Sequence, residues 1–150
     1  MLTDKEKKTL EKKIKGISGT SNKISSLLFE KLSNDLKVKD SIKEEIKNKI
    51  KKCNGEVLYL YNVASDMWYL AGDKSTDYNF YTKRIILCGI LSKLYLKILA
   101  NNNYSEEKLN KDIENEIINV GKFNKIKSKI LSFGLGPFEK RSSKNSSRGY

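Results

Sequence analysis

The chain has 150 residues, a formal net charge of +12, no histidine, two cysteines and a single proline, Pro137. That length fits one domain able to bury a real core. The lack of histidine excludes Ser-His-Asp and Cys-His nucleophile systems, histidine general bases and histidine-containing metal sites.

The charge is uneven. Residues 1–52 carry 15 basic and 8 acidic side chains, residues 53–120 carry 7 and 9, and residues 121–150 carry 8 and 1. Basic ends suit a solvated lysine face, a nucleic acid or an anionic membrane surface. Cys53 and Cys88 have neither CxxC nor zinc spacing and read as reduced thiols used as small apolar groups. The first residues lack the apolar run of a signal peptide, and Asp4, Glu6 and Glu11 argue against a transit peptide.

Six helices are predicted. The first, about Thr3 to Lys15, has a thin apolar stripe of Leu10 and Ile14 and stops at Gly16. The second opens near Ser21 and spaces Ile24, Leu27, Leu28 and Leu32 helically. The third, about Asp40 to Cys53, places Ile42, Ile46 and Ile50 on one face, and Asn54-Gly55 stops it. The fourth, about Glu56 to Ala71, repeats Val57, Leu60, Tyr61, Ala64, Met67, Trp68 and Ala71 at threes and fours, and Gly72 ends it. The fifth, about Asp77 to Ala100, is apolar on two faces: Tyr81, Ile85, Cys88 and Tyr95 on one, Leu87, Leu91, Leu94 and Ile98 on the other. Such a helix is central to a core or lines an apolar cavity. Its apolar run from Ile85 holds Lys93 and Lys97 and is too short to span a bilayer. The sixth begins near Ser105 with the stripe Ile113, Ile117 and Val120, and extends toward Phe123, Ile126 and Ile130 among lysines. From Phe133 the composition is that of a disordered basic tail. The domain reading is therefore a basic arm at 1–20, a helical domain at 21–132 and a tail at 133–150.

One stretch stands apart from this Lys-, Ile- and Asn-rich background: Asp66-Met67-Trp68-Tyr69-Leu70-Ala71-Gly72-Asp73-Lys74-Ser75-Thr76-Asp77-Tyr78-Asn79-Phe80-Tyr81-Thr82-Lys83-Arg84. It resembles the signature of the coenzyme Q (ubiquinone) biosynthesis lipid-binding accessory family. The match over nearly twenty positions is specific, and a weaker likeness runs from about Ile24 to Val120. Phe80 stands where that family usually has Trp, keeping the ring and losing the indole N–H.

The resemblance implies an all-α fold like the ligand-binding half of TetR-type proteins, here with little or no helix-turn-helix. It implies a non-catalytic protein without a cofactor. That protein would bind an isoprenoid quinone precursor in a helical cavity and present it to a di-iron hydroxylase. It also implies a homodimer, peripheral membrane contact, and a place at the inner face of a bacterial inner membrane or in the mitochondrial matrix. Carried onto this chain, the docking residues are Met67, Trp68, Asp73, Asp77, Asn79, Tyr81 and Arg84. The lipid-lining residues are Tyr81, Ile85, Leu87, Cys88, Leu91, Leu94, Tyr95 and Ile98. From the residues themselves, the basic sixth helix reads either as a solvated face or as a membrane contact through Lys122, Phe123, Lys125, Ile126, Lys129 and Ile130.

Each assignment has a plainer alternative. Trp68 reads equally as a core aromatic, and Asp73, Ser75, Thr76 and Asp77 as helix caps. A carboxylate metal cluster of Asp66, Asp73 and Asp77 lacks the Glu-x-x-His pairing of a di-iron site. In function, the alternatives are a TetR-like ligand-responsive DNA-binding regulator using the basic N-terminus, and a docking-only relic without a cavity.

Overall fold

The computed structural model describes residues 1–41, 43–44 and 55–122, with side chains of the last stretch described from residue 58. All elements among them are helices: α1 (Asp4–Ile14), α2 (Thr20–Lys37), α3 (Gly55–Leu70) and α4 (Tyr78–Ala100), then α5 over 106–122. The predicted third helix and its Ile46 and Ile50 lie mostly outside the described residues. Met1–Ile117 form one compact unit. Of the second, Ile118–Tyr150, residues 118–122 are described.

Local chemistry sets the helix ends. Thr3 caps α1: its hydroxyl accepts from the Glu6 N–H, and the Glu6 carboxylate accepts from the Thr3 N–H at 2.8 Å. This reciprocal pair satisfies two of the N–H groups that a helix start leaves orphaned. α3 ends where Gly72 takes a positive φ of 87°. The Gly72 N–H then reaches the Tyr69 carbonyl, and the Asp73 N–H reaches that of Trp68, both at 3.0 Å. This is the glycine-dependent helix stop of the Schellman type. Asp77 starts α4, its carboxylate accepting from the Asn79 N–H, so the cap reading of Asp77 holds.

The core is made of the predicted stripes. Leu27, Leu28 and Leu32 of α2, Val63, Ala64 and Met67 of α3, and Leu87, Leu91, Leu94 and Ile98 of α4 are buried together with Leu109 and Ile113 of α5. α3 and α4 are the most extensively paired helices, joined by residues 71–77, and α1 packs on both α2 and α3. Leu2, Leu10 and Ile14 bury α1, so the N-terminal segment is part of the same compact unit as α2–α4.

A polar cluster sits inside this packing. Lys31 of α2 is buried and reaches Glu6 at 2.9 Å and Asp35 at 2.8 Å. The Tyr95 hydroxyl of α4 donates to the other Asp35 oxygen. The Lys31 ammonium thereby ties α1 to α2, and the Asp35 carboxylate ties α4 to both. Burial works against the Lys31 charge, but Asp35 and Glu6 outweigh it and hold its pKa above the ordinary lysine value. Burial also raises Glu6, and again loses: hydrogen bonds from Thr3 and Lys31 bring its pKa down to about 2.

The sign of the pH effect follows. A carboxyl depressed in the folded state stabilises the protein above its unfolded value of 4.5 and loses that contribution as pH falls toward 2. Urea unfolding of Glu6→Gln beside wild type should therefore show less stability at pH 6 and a shallower loss between pH 4.5 and 2. In the apolar core, Leu32→Ala should cost about 2–5 kcal/mol. Leu58→Ala, at an exposed position, should stay within roughly 0.5 kcal/mol in the same assay.

Candidate functional site

The signature stretch covers the end of α3, the connection 71–77 and the first turns of α4. Its organising group is the Asp73 carboxylate, whose side chain is 3% exposed. One oxygen accepts from Lys83 Nζ at 2.7 Å and the other from Arg84 Nη1 at 3.0 Å. The Ser75 hydroxyl lies 2.8 Å from both oxygens. Burial raises the Asp73 pKa, but the bonds from Lys83, Ser75 and Arg84 more than reverse this and hold it far below the usual carboxylate range. Asp73 is therefore an anion at any physiological pH.

Arg84 completes the node. It is buried, with Nε bonded to the Ser65 hydroxyl at 3.1 Å and Nη1 also bonded to the Phe80 carbonyl at 2.9 Å. Its guanidinium lies 3.4 Å from the centroid of the Phe80 ring, a cation–π contact one helical turn apart. Phe80, in the position expected to hold Trp, thus stacks on Arg84 and needs no N–H for this contact. Trp68 is pinned alongside: its indole N–H donates to the Lys83 carbonyl at 3.0 Å, and the Lys83 ammonium sits 5.3 Å above its ring. Lys83 thus bridges the carboxylate and the indole.

Three tyrosines flanking this connection in sequence are exposed. Tyr69 is 78%, Tyr78 73% and Tyr81 59% exposed. Tyr81 meets the Phe80 ring edge-on, centroids 5.1 Å apart. Three exposed tyrosines around one helix connection form the kind of rigid, amphipathic contact area that protein interfaces favour.

The expected site residues fall into distinct places. Asp77, Asn79 and Tyr81 are exposed, and Trp68 is half-buried. Met67 is fully buried, so its expected place on a docking surface is corrected: it is a core side chain on the inner face of α3. Arg84 and the Asp73 side chain are buried and mutually satisfied, so they brace the connection. Of the lipid-lining set, Leu87, Leu91, Leu94, Tyr95 and Ile98 are buried in the packing of the helices themselves. Tyr81 and Ile85 are exposed and Cys88 is half-buried; the first two are corrected from lining to outer face, while Tyr95 of the same predicted face is turned inward onto Asp35. Of the membrane-contact set, Lys122 is exposed; Phe123, Lys125, Ile126, Lys129 and Ile130 lie outside the described residues.

Asp66, Asp73 and Asp77 serve three separate purposes. Asp66 accepts from the Leu2 N–H at 2.8 Å and pairs with Lys7 at 3.0 Å, holding α1 onto α3. Among the described residues no group of three or more Asp, Glu or Cys is placed to hold a metal ion, and no helix is long and apolar enough to cross a membrane. Sequence reasoning missed the exposed Tyr69 and Tyr78, and it read Ser75 as a cap candidate where it bonds the Asp73 carboxylate. Tyr69 was within reach: the buried stripe Leu60, Val63, Ala64 and Met67 leaves Leu58 and Tyr69 outside.

This braced loop is also where the chain is similar to known proteins. The COQ9 family model matches residues 56–124. That stretch is similar to the COQ9 family. The chain is similar to the bovine ubiquinone biosynthesis protein COQ9, mitochondrial, with 38% identity over 58 residues, 39% of this chain and 18% of the bovine one. It is similar to the rat protein of the same name at 36% identity over 58 residues, 39% of this chain and 19% of that one. With the human protein the identity is 34% over 58 residues, 39% and 18% of the two chains. The COQ9 stretch therefore spans under a fifth of the length of these relatives. No solved structure matches the chain.

The Asp73 node sets an order of mutational costs within the COQ9 stretch. Asp73→Ala leaves the Arg84 cation buried without its carboxylate and should cost about 3–5 kcal/mol. Asp77→Ala removes only a helix cap and should cost about 1 kcal/mol. Urea unfolding of both variants at pH 7 measures the difference; equal costs would mean that Asp73 is no more than a second cap.

Proposed function

We propose that this chain is a non-catalytic accessory factor in ubiquinone biosynthesis, and that it engages a hydroxylase of that pathway through the tyrosine surface at the α3–α4 connection. The observation that carries this reading is the similarity of residues 56–124 to the COQ9 family together with three exposed tyrosines at the ends of the connection that the Asp73–Arg84 pair braces. A surface pre-ordered in this way binds with little further loss of side-chain freedom. In mechanism, Tyr69, Tyr78 and Tyr81 contact the partner, Trp68 and Phe80 support them, and Asp73, Lys83, Arg84 and Ser75 fix the backbone beneath.

Lipid presentation is the second half of the proposal. An isoprenoid tail gains about 0.8 kcal/mol per buried CH₂. The inner face of α4 is filled by the chain's own side chains, so a tail bound there displaces Leu87, Leu91 or Leu94 from their present packing. Docking thus rests on groups already in place, while lipid uptake requires the helices to part.

Pull-down of a ubiquinone-pathway di-iron hydroxylase by the full chain tests the docking half. The combined variant Tyr69→Ala, Tyr78→Ala, Tyr81→Ala should lose capture at least tenfold with an unchanged melting temperature, since all three side chains are exposed. Undiminished capture would end the docking reading. Mass spectrometry of lipids extracted from the purified chain tests the other half: isoprenoid quinone precursors are expected, and a lipid-free protein would leave docking alone.

A further inference from the structure

The corner between α1 and α2 precedes the stretch that is similar to COQ9, which begins at residue 56. α1 ends at Ile14, and the chain turns at Gly16, whose φ is 88°. The Ile17 N–H reaches back to the Ile14 carbonyl at 3.0 Å. Lys8, Glu11, Lys12 and Lys15 follow one another at helical spacing and share one face of α1. Together with Lys23 of α2 they line a pocket of about 490 Å³, a volume typical of small-molecule sites.

The pocket is strongly cationic. Its four lysines and one carboxylate leave a balance of +3. Other lysines of the same two helices are answered: Lys7 by Asp66, Lys13 by Glu30, and Lys31 by Glu6 and Asp35. Among the described residues no carboxylate forms an ion pair with Lys8, Lys12, Lys15 or Lys23. Lys8 and Lys12 stand four apart on one helix, a spacing at which like charges repel. Lys23 lies in the first turn of α2, where the helix dipole disfavours a cation and no acidic residue offsets it. The dipole accounts for Lys12 and Lys15 at the C-terminal end of α1, but not for Lys8 or Lys23. An anion among these groups turns their mutual repulsion into attraction.

The lining narrows the class of anion. Lysine ammonium groups are point charges that suit phosphate oxygens, and a cluster of them matches a group with several negative charges. Ile14, buried, and Ile17, half-buried, also line the pocket, giving an organic part of the ligand apolar surface to meet. A bilayer fits less well. Helices that lie in a membrane interface insert exposed apolar side chains, and the two apolar side chains of α1, Leu10 and Ile14, are both buried.

We infer that the α1–α2 corner binds a soluble organic polyphosphate. Lys8, Lys12, Lys15 and Lys23 hold its phosphoryl oxygens, and Ile14 and Ile17 meet its organic part. This site does not rest on the ubiquinone reading.

Calorimetric titration of the full chain tests it, with three probes: ATP, sodium triphosphate, and phosphatidylcholine vesicles carrying phosphatidic acid. Salt at about 0.15 M screens the long-range pull of the net charge. ATP and triphosphate should each bind saturably, one per chain, with ATP at least as tight. Lys12→Gln with Lys23→Gln should weaken both by about tenfold or more. Lys74→Gln with Lys122→Gln removes the same charge from exposed lysines outside the pocket and should stay within about twofold. A second measurement needs no variant. Acetylation of the wild-type chain, mapped by mass spectrometry, should be slowed by ATP at Lys8, Lys12, Lys15 and Lys23 and left unchanged at Lys74. Any of four results would overturn the inference: no saturable binding of either soluble anion, including binding to the vesicles alone; ATP weaker than triphosphate; equal losses in the two double variants; or protection spread evenly over the lysines.

Discussion

The buried pair of Asp73 and Arg84 is the contact on which the signature region depends. Neither charge is tolerable alone: an isolated ion in that environment is costly, and breaking such a pair leaves the other member uncompensated. Together, with Lys83, Ser75, Ser65 and the Phe80 carbonyl, every polar group of the node has a partner. The connection between α3 and α4 is thereby held by a glycine stop at one end, a carboxylate cap at the other and a charged knot between. A stretch so rich in charge and aromatic rings is folded inward by its charges, and its tyrosines are left outside.

That division of labour changes how the signature is read. Residues of the signature need not all touch a partner. Asp73 and Arg84 hold the frame, Trp68 and Phe80 lie against the charges of Lys83 and Arg84, and Met67 belongs to the core. The tyrosines carry the exposed area. The Glu6–Lys31–Asp35–Tyr95 cluster performs a similar task for α1, α2 and α4. In both places a buried cation meets at least one carboxylate from a different helix or loop, Glu6 for Lys31 and Asp73 for Arg84, so each fixes the mutual setting of elements whose apolar stripes alone would allow some sliding.

Much of this was legible in the sequence. The stripes of α2, α3 and α4 announced helices because apolar residues at threes and fours can bury only one face, and Gly72 and Asp77 announced the ends of two of them. What periodicity could not decide was which apolar face of α4 is covered. Leu87, Leu91 and Leu94 are as apolar as Ile85 and Leu96, and only the packing of α2 and α3 separates them. Met67 carried two conflicting signals, a core stripe and a docking motif, and burial decided for the stripe. Lys31 and Asp35 lie beside Leu27, Leu28 and Leu32, a hint of burial that composition obscured, since lysine is everywhere in this chain. The partner of Lys31 in α1 was invisible because it is set by tertiary contact.

The measurement that bears most directly on the role of the α3–α4 connection is hydrogen exchange of the full chain with and without the hydroxylase. Protection confined to residues 68–82, with α1 and α2 exchanging as before, is the predicted footprint of a partner seated on Tyr69, Tyr78 and Tyr81. A footprint on α1 and α2 that leaves 68–82 unchanged would contradict it and move the contact to another face of the molecule.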